Sequence, residues 1–80
     1  MKSVRFTRNS RKHRIGRASA RHVIEHTTAV EDTFPPTEDT RFTWTGADER
    51  GRELEVVALD RPDCILVIHV MPTHYREKDS

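Results

Sequence analysis

The alternation of hydrophobic and polar positions predicts several β-strands. Residues 3–7 and 52–59 alternate with a period of two, which is typical of a strand with one buried face. Residues 41–45 are rich in β-branched and aromatic side chains, and residues 64–71 form the continuous apolar run of a strand covered on both faces. Turn-forming segments separate the last three strands, so the pattern predicts an antiparallel meander.

A helical pattern lies between the first strand and the meander. Asn9 or Ser10 is suited to cap a helix, and Gly16 favours either one kinked helix or two short ones. Residues 33–40 predict a connector, because their two prolines lack an N–H to donate. The apolar residues at near-helical spacing between positions 10 and 30 are Ile15, Ala18, Val23, Ile24 and Val30.

This order of elements predicts an α+β fold. A short N-terminal strand and a helix, or two helices, pack on a three- to four-stranded, mainly antiparallel sheet. The opposite face of the sheet is left for a substrate or a partner. The 80 residues fit a single domain spanning 1–80, in which residues 73–80 form a polar tail.

Charge is distributed unequally along the chain, although the net charge is only +1. Residues 1–24 hold eight Lys and Arg side chains and no acid, whereas all thirteen acids follow. A basic face of this kind is typical of proteins that bind an anionic polymer such as nucleic acid. The alternative is solvated surface charge without a ligand.

The single cysteine and the lack of long apolar stretches restrict the class of protein. Cys64 has no cysteine to pair with, so a disulfide scaffold is excluded and a small core residue is predicted. No stretch reaches the length of a membrane span, and the basic N-terminus lacks the apolar segment of a secretory signal. The sequence therefore predicts a cytoplasmic protein that does not contact a membrane.

Two segments resemble the small toxins of bacterial toxin–antitoxin pairs in the RelE/ParE superfamily, particularly its BrnT-like and actinobacterial branches. They read VRFTRNSRKHRIG at residues 4–16 and WTGADERGRELEVVALDRPDCILVIHVMPT at residues 44–73. The resemblance implies a RelE-like fold, an mRNA endoribonuclease that often acts with the ribosome, and a cognate antitoxin protein. Nuclease members carry basic residues on the sheet, whereas the sheet strands here carry chiefly Arg41 and Arg52.

Histidines are the candidates for RNA cleavage without a metal or other cofactor. Such cleavage needs a base, an acid and cations around the phosphate, and imidazole titrates near neutral pH. His74 and Tyr75 follow the last strand, where the resemblance also expects catalytic groups; the alternative is an exposed tail. His69 is either a core histidine or the centre of a groove on the open sheet face. His13 is either catalytic or a surface residue among arginines.

Cations near these histidines are predicted to bind RNA phosphates. The side chains of Phe42 and Trp44 share a sheet face, where they either stack on bases or pack in the core. The predicted RNA-binding residues are Arg11, Lys12, Arg14, Arg17, Arg41 and Arg76.

A competing motif is HVIEH at residues 22–26, which matches the H-x-x-E-H pattern of some zinc proteases. His22 and His26 are spaced to reach one metal on a helix, but no third ligand is evident and adventitious metal binding is favoured. No functional metal site is therefore predicted.

Three hypotheses follow for function. The first is a toxin that cleaves mRNA, with ribosome-bound mRNA and an antitoxin as partners. The second is a non-catalytic module that binds nucleic acid or protein, for example a gyrase poison. The third is an interaction domain that forms a homodimer through an open sheet edge.

Overall fold

The computed structural model describes residues 3–33 and 40–74, which form an α+β fold with one mixed sheet. The strands lie in the order β1-β5-β4-β3-β2, and only β1 and β5 pair in parallel. The elements are β1 (Ser3–Phe6), a 3₁₀ turn (Asn9–Arg11), α1 (Arg17–His26), β2 (Val30–Thr33), β3 (Thr40–Ala47), β4 (Glu53–Asp60) and β5 (Cys64–Pro72). The prediction of an α+β fold is confirmed, and most strand pairings are antiparallel as predicted, but the predicted count of three to four strands is wrong because the described sheet has five.

The predicted helical region divides into two segments. Gly16 precedes α1 with an extended backbone, and neither Asn9 nor Ser10 caps that helix. Ser10 is buried instead, where its hydroxyl donates to the Thr7 carbonyl at 2.6 Å. At the other end, the Thr27 hydroxyl donates to the Val23 carbonyl at 2.7 Å and closes the last turn of α1. Of the two predicted alternatives, one kinked helix or two short helices, the structure shows the second, as the 3₁₀ turn and α1.

The strand β2 was not predicted. Val30 was assigned to the helix but lies in β2, where 67% of it is exposed, and Ala18 is also exposed. The assignment failed because the β-branched Thr27 and Thr28 follow the helix and favour extended backbone. Within β2 the carboxylate of Asp32 pairs with Arg41 of β3 at 3.2 Å. Residues 34–39, most of the predicted connector, lie outside the described residues.

The core lies between α1 and one face of the sheet. Trp44 is buried there and Phe42 packs against it, so core packing rather than free stacking surface is confirmed for Trp44. Cys64 is also buried, as predicted. Complete burial of a side chain such as Leu54 contributes about 1.5–3 kcal/mol. The cluster consists of Ile15, Ala20, Val23, Trp44, Leu54, Val56, Ala58, Val67 and Val70.

One face of the sheet is left open by this arrangement. The ten-residue helix α1 covers the face that carries Val56 and Ala58, whereas the alternate residues Val57 and Leu59 of β4 are only half-buried. The apolar run of β5 shows the same asymmetry, since Leu66 and Met71 remain half-buried. The expectation that both faces of β5 are covered is met only in part: no residue of β5 is exposed, but the face opposite α1 is less deeply buried.

A β-bulge in β5 decides which of its side chains face the open side. Ala58 pairs with Val67 and the adjacent Val57 pairs with His69, so Ile68 is an extra residue without a partner. Both Val67 and Val70 consequently face the core, three residues apart rather than two or four. The shift turns His69 towards the open face together with Val57.

The turn between β3 and β4 is held by a buried carboxylate. Oδ1 of Asp48 accepts the backbone N–H groups of Arg50 and Arg52 at 2.9 Å each, and the Arg52 guanidinium lies 2.9 Å from Oδ2. Gly51 adopts φ +78°, which favours glycine. Within the turn, Glu49 accepts a 2.6 Å hydrogen bond from Ser19 of α1. The turn thus fixes the helix to the sheet.

Replacement of Asp48 by alanine is expected to lower the free energy of unfolding by about 2–3 kcal/mol at pH 7. Two backbone N–H groups and Arg52 would lose their acceptor, whereas Asp48→Asn keeps Oδ1 and should cost less. Urea denaturation measures both variants, with alanine at the exposed Asp63 as the control. Equal stability of the Asp48→Ala and Asp63→Ala variants would contradict the role of this carboxylate.

The stability contributed by Asp48 should also depend on pH. Burial opposes its ionisation, but the hydrogen bonds from the Arg52 and Arg50 backbones and from the Arg52 side chain outweigh burial and lower the pKa of Asp48. A lowered pKa in the folded state contributes stability above the unfolded-state pKa, and this is lost as pH falls through the folded-state pKa. Wild type and Asp48→Asn should therefore converge in stability as the pH approaches the acid limit of folding.

A second variant tests the contact between α1 and β3. A Cβ added at Gly46 would collide with the Thr27 methyl group. Gly46→Ala should lower the free energy of unfolding by about 1–3 kcal/mol. Thr27→Ser removes that methyl group but keeps the hydroxyl, so adding it to Gly46→Ala should restore much of the loss. Failure of this rescue in denaturation experiments would show that the collision is not the cause.

Candidate functional site

The open sheet face holds a histidine at its centre. His69 lies in β5 opposite Val57, and its side chain is 33% exposed. Its Nε2 lies 3.8 Å from Oε2 of Glu55 in the neighbouring strand β4. The bulge thus places an imidazole with an adjacent carboxylate on a surface that solutes can reach.

The basic segment after β1 brings a second histidine to the same place. The Thr7 N–H donates to the Val67 carbonyl at 3.0 Å, so the chain continues along β5 beyond the end of β1. Arg14 has φ +59°, an uncommon conformation for a residue with a side chain. On either side of it, Ile15 is buried in the core and His13 remains half-exposed. The ring centroids of His13 and His69 are 6.2 Å apart at 81°.

The surroundings favour the neutral form of His69. Burial lowers the pKa of His69; the carboxylate of Glu55 opposes this effect, and the charges of His13 and Lys12 lower the pKa further. A histidine with a lowered pKa is largely neutral at pH 7 and can accept a proton. The cluster therefore contains a potential base, a second imidazole and a neighbouring lysine.

This geometry suits proton transfer on either side of a phosphodiester. Two imidazole rings at this separation can each form a hydrogen bond of about 2.8 Å to oxygens of one bound group. A cation near them can stabilise the negative charge that develops on the phosphate. Hydrolysis of other esters would use the same groups, so the arrangement defines acid–base chemistry rather than one substrate.

Among the described residues, His74 is the one further predicted catalytic residue, and it is not brought to this pair. His74 is exposed just beyond β5, next to Thr73, whose N–H donates to the Glu53 carbonyl at 3.0 Å. Glu53 and Val57 are four residues apart in β4, which corresponds to roughly 13 Å between His74 and His69 along the sheet. Tyr75, predicted as catalytic, and Arg76, predicted to bind RNA, lie outside the described residues.

The predicted RNA-binding cations that the structure describes occupy three regions. Arg11, Lys12 and Arg14 are exposed on the segment that carries His13. Arg17 begins α1, and its guanidinium carbon lies 5.8 Å above the ring of Phe6. Arg41 lies in β3 and pairs with Asp32. The structure thus groups three of these cations with His13, while Arg17 and Arg41 lie elsewhere.

The sequence did not predict Glu55, Arg5 or Arg21 as site residues. Glu55 alternates with the core residues of β4, so its position on the open face was readable, but its contact with His69 was not. Arg5 and Arg21 contributed only to the count of basic residues; they line a cleft at the edge of the sheet together with Arg17. A contact between distant strands leaves no local signal in the sequence.

The HVIEH motif forms the last five residues of α1, and its two histidines, His22 and His26, share a face. The rings of His22 and His26 stack with centroids 4.0 Å apart, and Nδ1 of His26 lies 2.8 Å from the His22 carbonyl. Across residues 3–33 and 40–74, no three His, Cys, Asp or Glu side chains cluster as metal ligands do. In the same ranges, no helix has the length and apolar character needed to cross a bilayer.

The pKa of His69 provides a direct check of the cluster. Glu55→Gln removes a charge that stabilises the imidazolium, so the pKa of His69 should fall further, whereas His13→Gln should raise it. Titration of the histidine ring protons by NMR measures both shifts. The ring signals of His26 on α1 serve as a reference and should not differ between the variants. Unchanged titration of His69 in both variants would show that the three groups are not neighbours.

Comparisons with protein families, curated proteins and solved structures find no match to this chain. Its function is therefore inferred from the side chains themselves.

Proposed function

We propose that this protein is an endoribonuclease of the toxin type, with His13 and His69 as its catalytic pair. The observation that carries the proposal is the 6.2 Å separation of the two rings on the open sheet face. Cleavage of RNA through its own 2′-hydroxyl needs one base and one acid on opposite sides of a phosphate. Two histidines beside a basic segment supply both groups and the charge that attracts the substrate.

The proposed roles follow from the surroundings of each ring. His69, whose pKa is lowered mainly by burial, is neutral and accepts the proton of the 2′-hydroxyl. His13 in its protonated form donates to the leaving 5′-oxygen. Lys12 is close enough to influence His69 and stabilises the phosphate during the reaction. Glu55 orients His69 through the 3.8 Å contact and does not touch the substrate.

The resemblance of residues 4–16 and 44–73 to RelE/ParE-superfamily toxins supports a biological setting for this activity. In that setting the protein cleaves mRNA in the cytoplasm, on or off the ribosome, and a cognate antitoxin silences it. An acidic segment of the antitoxin would complement the exposed cations Arg11, Lys12 and Arg14.

A non-catalytic binding module is the second candidate, and the open sheet face favours it. That face carries half-buried apolar side chains on the side of the sheet opposite α1, namely Val57, Leu59, Leu66 and Met71. Apolar surface of this kind is typical of sites that bind another macromolecule. A gyrase-directed toxin or a homodimer would use this face without cleaving RNA.

The decisive experiment maps mRNA 5′ ends in bacteria shortly after the chain is induced. Wild type is expected to produce new ends, and His69→Gln or His13→Gln should reduce them by about 100-fold or more, since acid–base catalysis contributes roughly 10²–10⁴ in rate. The double variant His22→Gln, His26→Gln is the matched control because it removes two histidines from α1. Its pattern of ends should equal that of wild type.

Other outcomes separate the alternatives. New ends could persist in folded His13→Gln and His69→Gln variants but vanish when His74 and Tyr75 are replaced by alanine. That result would assign catalysis to His74 and Tyr75 instead. If verified expression of wild type gives no new ends, the nuclease proposal is wrong and gyrase inhibition becomes the next assay.

A further inference from the structure

A basic cleft lies at the edge of the sheet, between β1 and α1. Its volume is about 280 Å³, and it is lined by Val4, Arg5, Phe6, Arg17 and Arg21. Three of these five residues are arginines, and none is acidic. The cleft therefore combines a concentrated positive charge with a small apolar wall.

The secondary structure fixes the positions of these side chains. Arg17 and Arg21 are four residues apart, which places them on the same face of α1. Val4 and Phe6 pack against the core from β1, and Arg5 between them leaves from the opposite face of the strand. The cleft thus joins the helix side of the sheet to its open side around the edge strand.

The charge of the cleft is not neutralised within the described parts of the chain. Among residues 3–33 and 40–74, no carboxylate forms an ion pair with Arg5, Arg17 or Arg21. Two arginines at this helical spacing repel each other. A bound anion would relieve the repulsion, and guanidinium groups are especially suited to phosphate oxygens.

We infer that this cleft is a phosphate-binding subsite that holds the RNA backbone to one side of the scissile bond, an inference that rests on the proposed nuclease function. Arg5 pairs with Leu66 in β5, three residues before His69 and thus roughly 10 Å away along the strand. The basic segment with Lys12 and His13 begins at the end of β1. An RNA strand that leaves the cleft and follows these cations reaches His13 and His69.

Phe6 favours RNA over an acidic peptide as the occupant. Its ring lies in the wall of the cleft beneath Arg17, at 5.8 Å from the guanidinium carbon. A flat guanidinium supported by an aromatic ring is a surface on which a base can stack. An acidic peptide would use the positive charge but would gain nothing from this flat surface.

The test measures binding of a labelled single-stranded 2′-O-methyl RNA, which cannot be cleaved through its 2′-hydroxyl. Fluorescence anisotropy compares wild type with Arg21→Gln and with Arg17→Gln, Arg21→Gln. The single variant should weaken binding roughly fivefold and the double variant roughly 20-fold at about 0.1 M salt. The slope of log Kd against log salt should fall by about 0.7 and 1.4. Arg50→Gln, at an exposed turn, is the matched control and should have little effect.

The outcomes distinguish this inference from the nuclease proposal. Equal weakening by Arg21→Gln and Arg50→Gln, or no binding by wild type, would overturn the subsite. If a polyglutamate peptide binds through Arg17 and Arg21 and RNA does not bind, the RNA subsite is overturned. The occupant of the cleft is then an acidic protein segment. If RNA binding depends on the cleft but induction of the chain produces no new mRNA 5′ ends, the subsite is supported and only the nuclease proposal is refuted.

Discussion

One extra residue in β5 determines which chemistry the sheet displays. With strict alternation from Val67, the side chain of His69 would face α1 and the core. The bulge at Ile68 shifts the register, so Val70 fills the core while His69 meets Glu55 on the open face. The buried valines hold this register, because a slip would expose Val67 or Val70 and bury an imidazole.

The parallel pairing of β1 with β5 provides the second half of the site. It joins the basic start of the chain to its last strand, and the segment after Phe6 continues along β5 until His13 meets His69. Because α1 covers the opposite face, this meeting point stays accessible. The edge strand β1 carries the cleft with Arg17 and Arg21, and the histidine pair lies beyond the end of β1 on the open face.

Local patterns predicted the α+β class and four of the strands, because alternation and turn residues report directly on which side chains are buried. They failed at β2, where the residues VEDT show no apolar alternation and the partner strand supplies the structure. The individual histidines were predicted as candidates, but the pairing of His13 with His69 depends on the bulge and on strands distant in sequence. His74 and Tyr75 were predicted from their position after the last strand, which carries no information about distance.

The proposed function requires RNA to bind where His13 and His69 meet. Its most direct test follows the histidine ring signals by NMR while a non-cleavable 2′-O-methyl RNA is added to the intact protein. We expect the signals of His13 and His69 to shift together, while those of His22 and His26 on α1 stay in place. Shifts confined to His22 and His26, or no shift at any histidine, would contradict it.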